Sequence, residues 1–545
     1  MDFQRLFLFL IFSLSVFLLW DGWQRTQHPV VQALPVTAPS AAGTPVVATA
    51  GVDRSGASAV AAQQKHQTGQ KITVKTDWLV AEINTVGGDL RHLAFLQHRD
   101  AQDKSKPFVL LQEEKARTYI AQTGLLGTGL PTHNAVFAAP ANEYQLADGK
   151  DTLEVRLLAT EAAVAKVTKV YVFHRGSYVI DVGYEIENSG TTPLSPSAYF
   201  QLVRDKTPPE GGSKFVPTYT GPAVYTEQEK FQKVDFSDID KGKIKYPQST
   251  DNGWVGMLQH YFVAAWLPKD KIHREFYTKQ LEENLYSAGV ILPMAAIAPG
   301  QSAKVSVPLY AGPAQVSLNR VAPGLGLTVD YGWLTIIATP LFWLLSFLQE
   351  WVHNWGVAII LLTVLIKLAF FPLSAASYRS MGKMRVVAPK LEKIKQQYSD
   401  DRERLHKAMM ELYKTEKINP LGGCLPVVIQ IPVLISLYWA ILASVELRYA
   451  PFFGWISDLS AADPYYVLPL IMGASMLLQS KLNPVPPDPL QAKLMQIMPI
   501  VFSVVFFFFP AGLVLYSIVN NALSIAQQWY ITRSLEAETK GVAKA

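Results

Sequence analysis

Few side chains in this chain have the types and spacing that covalent chemistry requires. The single cysteine, Cys424, excludes an intrachain disulfide and a CxxC metal or redox site. His260, Glu282 and Glu283 are candidates for the acid and base of a carbohydrate-active enzyme, but nothing in their spacing singles them out. We therefore predict no enzymatic activity, no cofactor and no metal site.

The residue that most needs a function is a lysine within an apolar segment. Residues 356–373 form a predicted membrane span, in which Lys367 lies about 9 Å from the cytoplasmic end. A lysine near the centre of a span costs about 2.5 to 3.5 kcal/mol on insertion. Its ammonium either extends back to the interface or lines a hydrated, positively charged pocket that opens to the cytoplasm.

Other polar residues in the predicted spans favour the pocket. Thr363 lies one turn from Lys367, and Gln430 lies in the middle of the next span. Further polar residues recur along the last span: Ser517, Asn520, Asn521, Ser524 and Gln527. Such residues usually face the bundle interior or a wet cavity. No acidic residue occurs in these spans, which speaks against a proton relay or a cation pathway.

The N-terminal segment has the composition of a membrane anchor. Residues 3–20 are almost continuously apolar and would form a helix of about 27 Å. Arg5 on the short flank favours a cytoplasmic N-terminus. A cleaved signal peptide is the alternative, but two tryptophans and no small-residue site follow the apolar run. We predict an uncleaved anchor over residues 1–26 and a flexible linker over residues 27–70.

The next 250 residues predict a large antiparallel β-sandwich over residues 71–320. Their apolar and polar residues alternate with the period of a strand, and glycine-containing turns separate the runs. The predicted strands include residues 72–76, 78–84, 153–157 and 178–182, and the turns include residues 87–88, 188–190 and 211–212. A mean hydropathy of +0.14 with 17% charged residues fits such a domain joined to a membrane part.

The remaining chain predicts a helical membrane module. In residues 321–355, four polar residues on one face predict an amphipathic helix from Pro340 in the outer interface. Five spans follow at residues 356–373, 421–443, 464–482, 494–510 and 511–530, which makes six with the anchor. We take residues 356–530 as the functional core and residues 531–545 as a cytoplasmic tail.

Charge placement predicts the orientation of these spans. Residues 374–419 contain eleven Lys and Arg against six Asp and Glu, whereas residues 444–463 contain one Arg and three acids. By the positive-inside rule, the first loop is cytoplasmic and the second is not. Residues 21–355 are then mainly periplasmic, and both termini are cytoplasmic.

The basic cytoplasmic segment, residues 374–419, predicts a hairpin of two helices at residues 379–398 and 402–417. Asp400 with Glu403 resembles a capping box for the second helix. Methionines occupy apolar positions and suit varied apolar partners. The residues assigned to this surface are Met381, Lys383, Met384, Arg385, Met409 and Met410. A solvated hairpin without a partner is the alternative.

Three motifs resemble the YidC/Oxa/Alb family of membrane protein insertases in its Gram-negative form. They are residues 419–432, NPLGGCLPVVIQIP; residues 463–469, DPYYVLP; and residues 509–516, FPAGLVLY. Residues 381–385, MGKMR, are similar to the start of the family's cytoplasmic hairpin. The motifs of the family lie close together over about residues 330–530. A long sandwich that follows a single anchor is similar to the Gram-negative form of the family, which extends the resemblance to nearly the whole chain.

The resemblance implies a protein that inserts and folds inner-membrane proteins, alone or with the Sec translocon. Lys367 matches the family's groove cation, which is often arginine, and Thr363, Gln430, Tyr516, Ser517, Asn520 and Gln527 line the groove with it. Substrates would slide along Ile431, Leu434, Phe502 and Phe506. The partners implied are nascent inner-membrane proteins, the Sec translocon, the ribosome, the signal recognition particle receptor and membrane lipids. The chain itself is expected to be a monomer.

Two other function classes stay open from the residues alone. A polytopic transporter would predict inverted repeats and paired broken helices, and no internal repeat is found. A membrane-tethered carbohydrate-active enzyme rests only on the sandwich.

Overall fold

The computed structural model describes residues 69–100, 103–114, 117–161, 164–209, 218–269, 271–398, 401–416, 425–482 and 489–542. The predicted anchor (residues 1–26), nearly all of the predicted linker, the turn at residues 211–212, Asp400 and Cys424 lie outside these residues.

The first part of the chain forms nineteen strands in the described residues. They are β1 (Lys71–Lys75), β2 (Leu79–Asn84), β3 (Asp89–Arg99), β4 (Pro107–Glu114), β5 (Arg117–Leu126), β6 (Phe137–Ala138), β7 (Glu143–Gln145), β8 (Thr152–Ala159), β9 (Ala165–His174), β10 (Val179–Asn188), β11 (Ser197–Asp205), β12 (Thr220–Thr226), β13 (Lys230–Lys233), β14 (Ser249–Thr250), β15 (Trp254–Gln259), β16 (Phe262–Trp266), β17 (Arg274–Glu282), β18 (Leu285–Pro293) and β19 (Ser302–Pro313). A short helix, α1 (Phe236–Asp240), follows β13.

These strands form two sheets that face each other across one apolar core. The first sheet has the order β14-β17-β18-β11-β5-β4-β3-β2-β1-β7, and the second has the order β13-β12-β15-β16-β19-β10-β9-β8-β6. All named strand pairs are antiparallel except β1 with β7. Alternate residues of β9, such as Val167, Tyr171 and Phe173, point into the core, as strand periodicity requires. The predicted sandwich is therefore present, with one parallel pair at its edge.

A buried ion pair lies between the sheets. Lys169 Nζ lies 3.6 Å from Asp89 Oδ1, and both side chains are fully buried. Lys169 also donates to the carbonyl of Gly87 at 2.9 Å, and Gln122 donates to Asp89 Oδ2 at 3.1 Å. Burial lowers the pKa of Lys169 to about 8, and the Asp89 carboxylate opposes that shift. Desolvation thus makes each charge depend on the other.

Eight longer helices follow the sandwich. They are α2 (Thr335–Val352), α3 (Trp355–Ala369), α4 (Phe371–Gln397), α5 (Arg402–Thr415), α6 (Leu425–Ala443), α7 (Val467–Leu482), α8 (Pro489–Phe506) and α9 (Ala511–Val542). Several bounds differ from the prediction: α2 begins five residues before Pro340, and α4 begins eight residues before residue 379. The helix of α9 continues to Val542 through most of the predicted tail.

The predicted span at residues 356–373 is not one straight helix. It breaks at Phe370, where α3 and the first part of α4 meet at 66°. Pro372 explains the break, because its ring lacks an N–H and clashes with the preceding turn. The hairpin's second helix is capped by Asp401 rather than by the predicted Asp400, since the Asp401 carboxylate accepts from the backbone of Glu403 and Arg404.

Length and apolar composition identify fewer spans in the described residues than the five predicted there. In the described residues, α2 alone is long and apolar enough to cross a bilayer, although it was predicted as an interfacial helix and not as a span. The bent pair α3–α4 is a second if it counts as one span. The apolar parts of α6, α7 and α8 are shorter, at Ile429–Ala443, Val467–Leu482 and Gln496–Phe506.

A second apolar core joins the sandwich to the helices. Trp254, Val263 and Tyr310 of the sandwich belong to the same buried cluster as Phe342 of α2 and Leu437 of α6. This core means that the helices pack directly against the second sheet.

The loop after α6 adds a polar contact to this junction. The Arg448 guanidinium lies 5.3 Å from the ring of Phe108, 5.7 Å from Tyr261 and 5.8 Å from Phe262. The neighbouring Tyr449 donates its hydroxyl to the carbonyl of Asp100 at 2.6 Å. Arg448 therefore inserts from the helical module into an aromatic cluster of the sandwich.

We predict that Lys169→Met lowers the free energy of unfolding by about 3 to 5 kcal/mol, because it leaves the Asp89 carboxylate buried without its cation. Replacing both charges, as in Asp89→Leu with Lys169→Met, should recover most of this loss. Pulse proteolysis of the full-length chain in urea measures both changes. A loss no larger than that of Lys166→Met, at an exposed site on the same strand, would contradict the prediction.

Arg448→Ala should loosen the junction without unfolding either part. We expect amide exchange in residues 445–450 to accelerate about tenfold, the factor for a partly desolvated cation–π contact of about 1.4 kcal/mol. Arg448→Lys keeps the charge but not the planar stacking, so its effect should be intermediate. The exposed Arg320→Ala is the control, and an equal change in both alanine variants would refute the prediction.

Candidate functional site

Lys367 lies in the last turn of α3 and reaches across to α9. Its Nζ donates to Ser524 Oγ at 2.6 Å. In the part of the chain that the structure describes, no carboxylate pairs with this ammonium. Lys367 also lines a small cavity with Phe370, Ser374 and Gln430, and its volume of about 20 Å³ has room for one water molecule.

Gln430 of α6 also forms hydrogen bonds with side chains of α9. Its Nε2 donates to the hydroxyl of Tyr516 at 3.4 Å and to the amide oxygen of Asn520. Tyr516 is almost fully buried. Three of the predicted groove residues thus form one hydrogen-bonded group between α6 and α9, next to the Lys367 cavity.

The other predicted groove residues have different partners. The hydroxyls of Thr363 and Ser517 donate to backbone carbonyls of their own helices, at 2.7 and 2.9 Å, and both residues are buried. Gln527 donates to the carbonyl of Phe371 at 3.3 Å, close to the break between α3 and α4. None of these three hydrogen bonds goes to Lys367, and that of Gln527 joins α9 to α4.

The polar residues of α9 act as a common set of partners for its neighbours. Tyr516, Asn520 and Ser524 recur every four residues and therefore share one face, which meets α3 and α6. On the adjoining face, Asn521 donates to Ser475 at 3.2 Å, and Gln528 donates to the carbonyl of Leu482 at 3.0 Å, both on α7. The sequence predicted Asn521 and Ser524 among the polar residues of the last span that face the bundle interior, but neither they nor Gln528 were assigned to the groove.

The residues predicted to guide a sliding substrate divide into two pairs. Ile431 and Phe502 are 47% and 40% exposed and so are available to a partner or to lipid. Leu434 packs against the second core, and Phe506 is buried in it. Much of the remaining surface of α8 is apolar and exposed: Ile497, Met498, Ile500, Val501, Val504 and Val505.

Two of the four methionines of the hairpin belong to its own small core. Met384 and Met409 pack around Val387, Leu391 and Tyr413. Met381 packs against Ala375, Tyr378 and Ile531, the last of which lies on α9. Met410 and Lys383 are exposed, while the side chain of Arg385 lies outside the described residues. The open apolar surface predicted from methionine content is therefore smaller than expected.

The candidates for sugar chemistry are not brought together. His260 Nε2 lies 3.1 Å from the carbonyl of Leu442, at the junction with α6, and burial lowers the pKa of His260 to about 4. Its imidazole is therefore neutral at neutral pH. Glu282 and Glu283 are exposed near the turn between β17 and β18, in the other sheet.

Comparison with known proteins covers nearly the whole chain. Residues 71–344 match the family model described as the YidC periplasmic domain, and residues 347–538 match that of the 60Kd inner membrane protein. Membrane protein insertase YidC of Nitrosospira multiformis is 57% identical, covering 100% of this chain and 99% of the relative. That of Methylobacillus flagellatus is 55% identical, covering 100% of both. A crystal structure of an active YidC insertase, with its first transmembrane domain resolved, has 18% identity and a TM-score of 0.41 over 85% of this chain and 93% of that chain.

The contact between Gln430 and Asn520 should contribute little to stability. Hydrogen bonds between membrane helices average about 0.6 kcal/mol in double-mutant cycles and reach about 1.7 kcal/mol. We predict a coupling energy in this range for Gln430→Leu and Asn520→Leu, measured by detergent-induced unfolding of the full chain. A coupling above about 3 kcal/mol would show that this group is a structural clamp instead.

Proposed function

Because this chain belongs to the YidC family of membrane protein insertases, we propose that it inserts and folds proteins in the bacterial inner membrane. The observation that carries the mechanism is the Lys367 ammonium, which is held between α3 and α9 beside Gln430 without a carboxylate among the described residues. A charge so placed is available to an acidic segment that enters from the cytoplasm.

The proposed mechanism lowers the cost of moving polar chain through lipid. Each exposed peptide group costs several kcal/mol in hydrocarbon because it finds no hydrogen-bond partner there. Polar groups and water around Lys367 and Gln430 shorten the apolar distance that such a segment must cross. The apolar helix of the substrate contacts the exposed side chains of α6 and α8, including Ile431 and Phe502, and then partitions into lipid.

The proposed membrane arrangement follows the charge distribution. We propose six spans, with an anchor in residues 1–26, a cytoplasmic hairpin at residues 374–419, and both termini in the cytoplasm. We place α2 in the outer interface, and its exposed Ile336, Trp343 and Trp351 suit contact with lipid.

The proposed partners are nascent inner-membrane proteins, and action alone or with the Sec translocon is proposed from the resemblance. The basic hairpin suits the ribosome, the signal recognition particle receptor or anionic lipid heads. We propose a monomer as the working form. The family is one of insertases rather than of an enzyme class, and neither a transporter nor a carbohydrate-active enzyme gains support from the comparisons.

Purified full-length protein in liposomes tests this function. A small membrane protein translated beside the vesicles should become protected from protease only when the chain is present. Vesicles that give equal protection without the chain would contradict insertase activity.

Lys367→Ala should impair insertion of a substrate with an acidic translocated segment about tenfold more than that of a neutral one, which corresponds to about 1.4 kcal/mol of lost attraction. Lys367→Arg keeps the charge and should remain near the wild-type rate for both substrates. The protease-protected fraction over time gives both rates. Equal impairment of the two substrates by Lys367→Ala would refute the electrostatic mechanism.

A further inference from the structure

The Lys367 ammonium is bound by a residue that the proposed function does not require. Ser524 lies 157 positions further along the chain, on α9, and its hydroxyl accepts from Lys367 Nζ at 2.6 Å. The same hydroxyl donates to the carbonyl of Asn520 at 2.7 Å, so its lone pairs are directed away from its own helix. Ser524 is almost fully buried, and its hydroxyl also forms a hydrogen bond with the Tyr378 hydroxyl.

Lys367 needs such a partner because of its position. It lies two residues before the end of α3, next to the break at Phe370, so the cytoplasmic interface is close. A lysine on a flexible four-carbon stem usually extends its ammonium toward water from such a position. The hydroxyl on α9 instead holds the ammonium toward the bundle interior, where Lys367 also lines the cavity with Gln430.

The chemical type of this partner matters as much as its place. A carboxylate carries a full negative charge, so it attracts an ammonium by a Coulomb energy that a neutral hydroxyl does not supply. A carboxylate of the protein would therefore compete with an acidic substrate, whereas a hydroxyl yields to it. In the described residues, the Lys367 ammonium donates to the Ser524 hydroxyl and forms no ion pair.

We infer that Ser524 is the positioning residue of Lys367, a neutral and replaceable partner that sets the preference for carboxylate-bearing segments. This inference rests on the proposed function. Ser524 acts through the lysine, and an incoming carboxylate takes its place on the ammonium.

The test uses full-length chain in liposomes and two single-span substrates that differ only in two Asp or two Asn residues in the translocated segment. Ser524→Ala should lower the acidic-to-neutral ratio of insertion rates about fivefold, the factor for one average net hydrogen bond. Ser524→Thr keeps a hydroxyl and should retain the wild-type ratio. Ser534→Ala is the matched control on α9, because that exposed hydroxyl donates to the Tyr530 carbonyl of its own helix.

A double variant separates this inference from the proposed function. In a Lys367→Ala background, Ser524→Ala should change the ratio no further, since its effect passes through the lysine. If Ser524→Ala slows both substrates equally, the serine is only a packing residue; the inference is overturned, and the proposed function stands. If Lys367→Ala itself leaves the ratio at the wild-type value, the charge-based function fails and takes the inference with it.

Discussion

A polar side chain inside hydrocarbon must find its hydrogen-bond partner within the protein, because lipid offers none. The helix α9 carries a long series of such side chains, and its neighbours are arranged around them. Lys367 of α3 binds Ser524, Gln430 of α6 binds Asn520, and α7 accepts from Asn521 and Gln528. The same requirement brings the cation and its polar neighbours to one place.

Partners of this kind bind weakly enough to be exchanged. Interhelical hydrogen bonds in membranes contribute little net stability, since the unfolded helices also find partners. In the proposed function, a site built from them releases its groups to a passing segment at small cost, which a site of buried ion pairs cannot do. The periplasmic sandwich shows the contrast, because the ion pair between Lys169 and Asp89 is fully buried between its two sheets.

The sandwich and the helices are joined more closely than a flexible tether would allow. One apolar core contains Trp254 of the sandwich and Leu437 of α6, and Arg448 lies among aromatic rings of the other part. Because α6 also carries Gln430 and Ile431, the end of that helix opposite the site is held by the periplasmic domain. The position of the sandwich therefore bears on the geometry of the site.

The sequence by itself determined the strand-rich domain, the apolar segments, the family and the isolated lysine, because periodicity, composition and motifs are properties of neighbouring residues. With the family resemblance it also predicted a group of polar groove residues, of which Gln430, Tyr516 and Asn520 bond to one another. Only the tertiary structure decided that Ser524 holds Lys367, that Thr363 and Ser517 bond to their own helices, and that Met384 and Met409 fill the hairpin core. Polarity along a chain shows that a side chain needs a partner; which partner it finds depends on the rotation and depth of helices packed from distant segments.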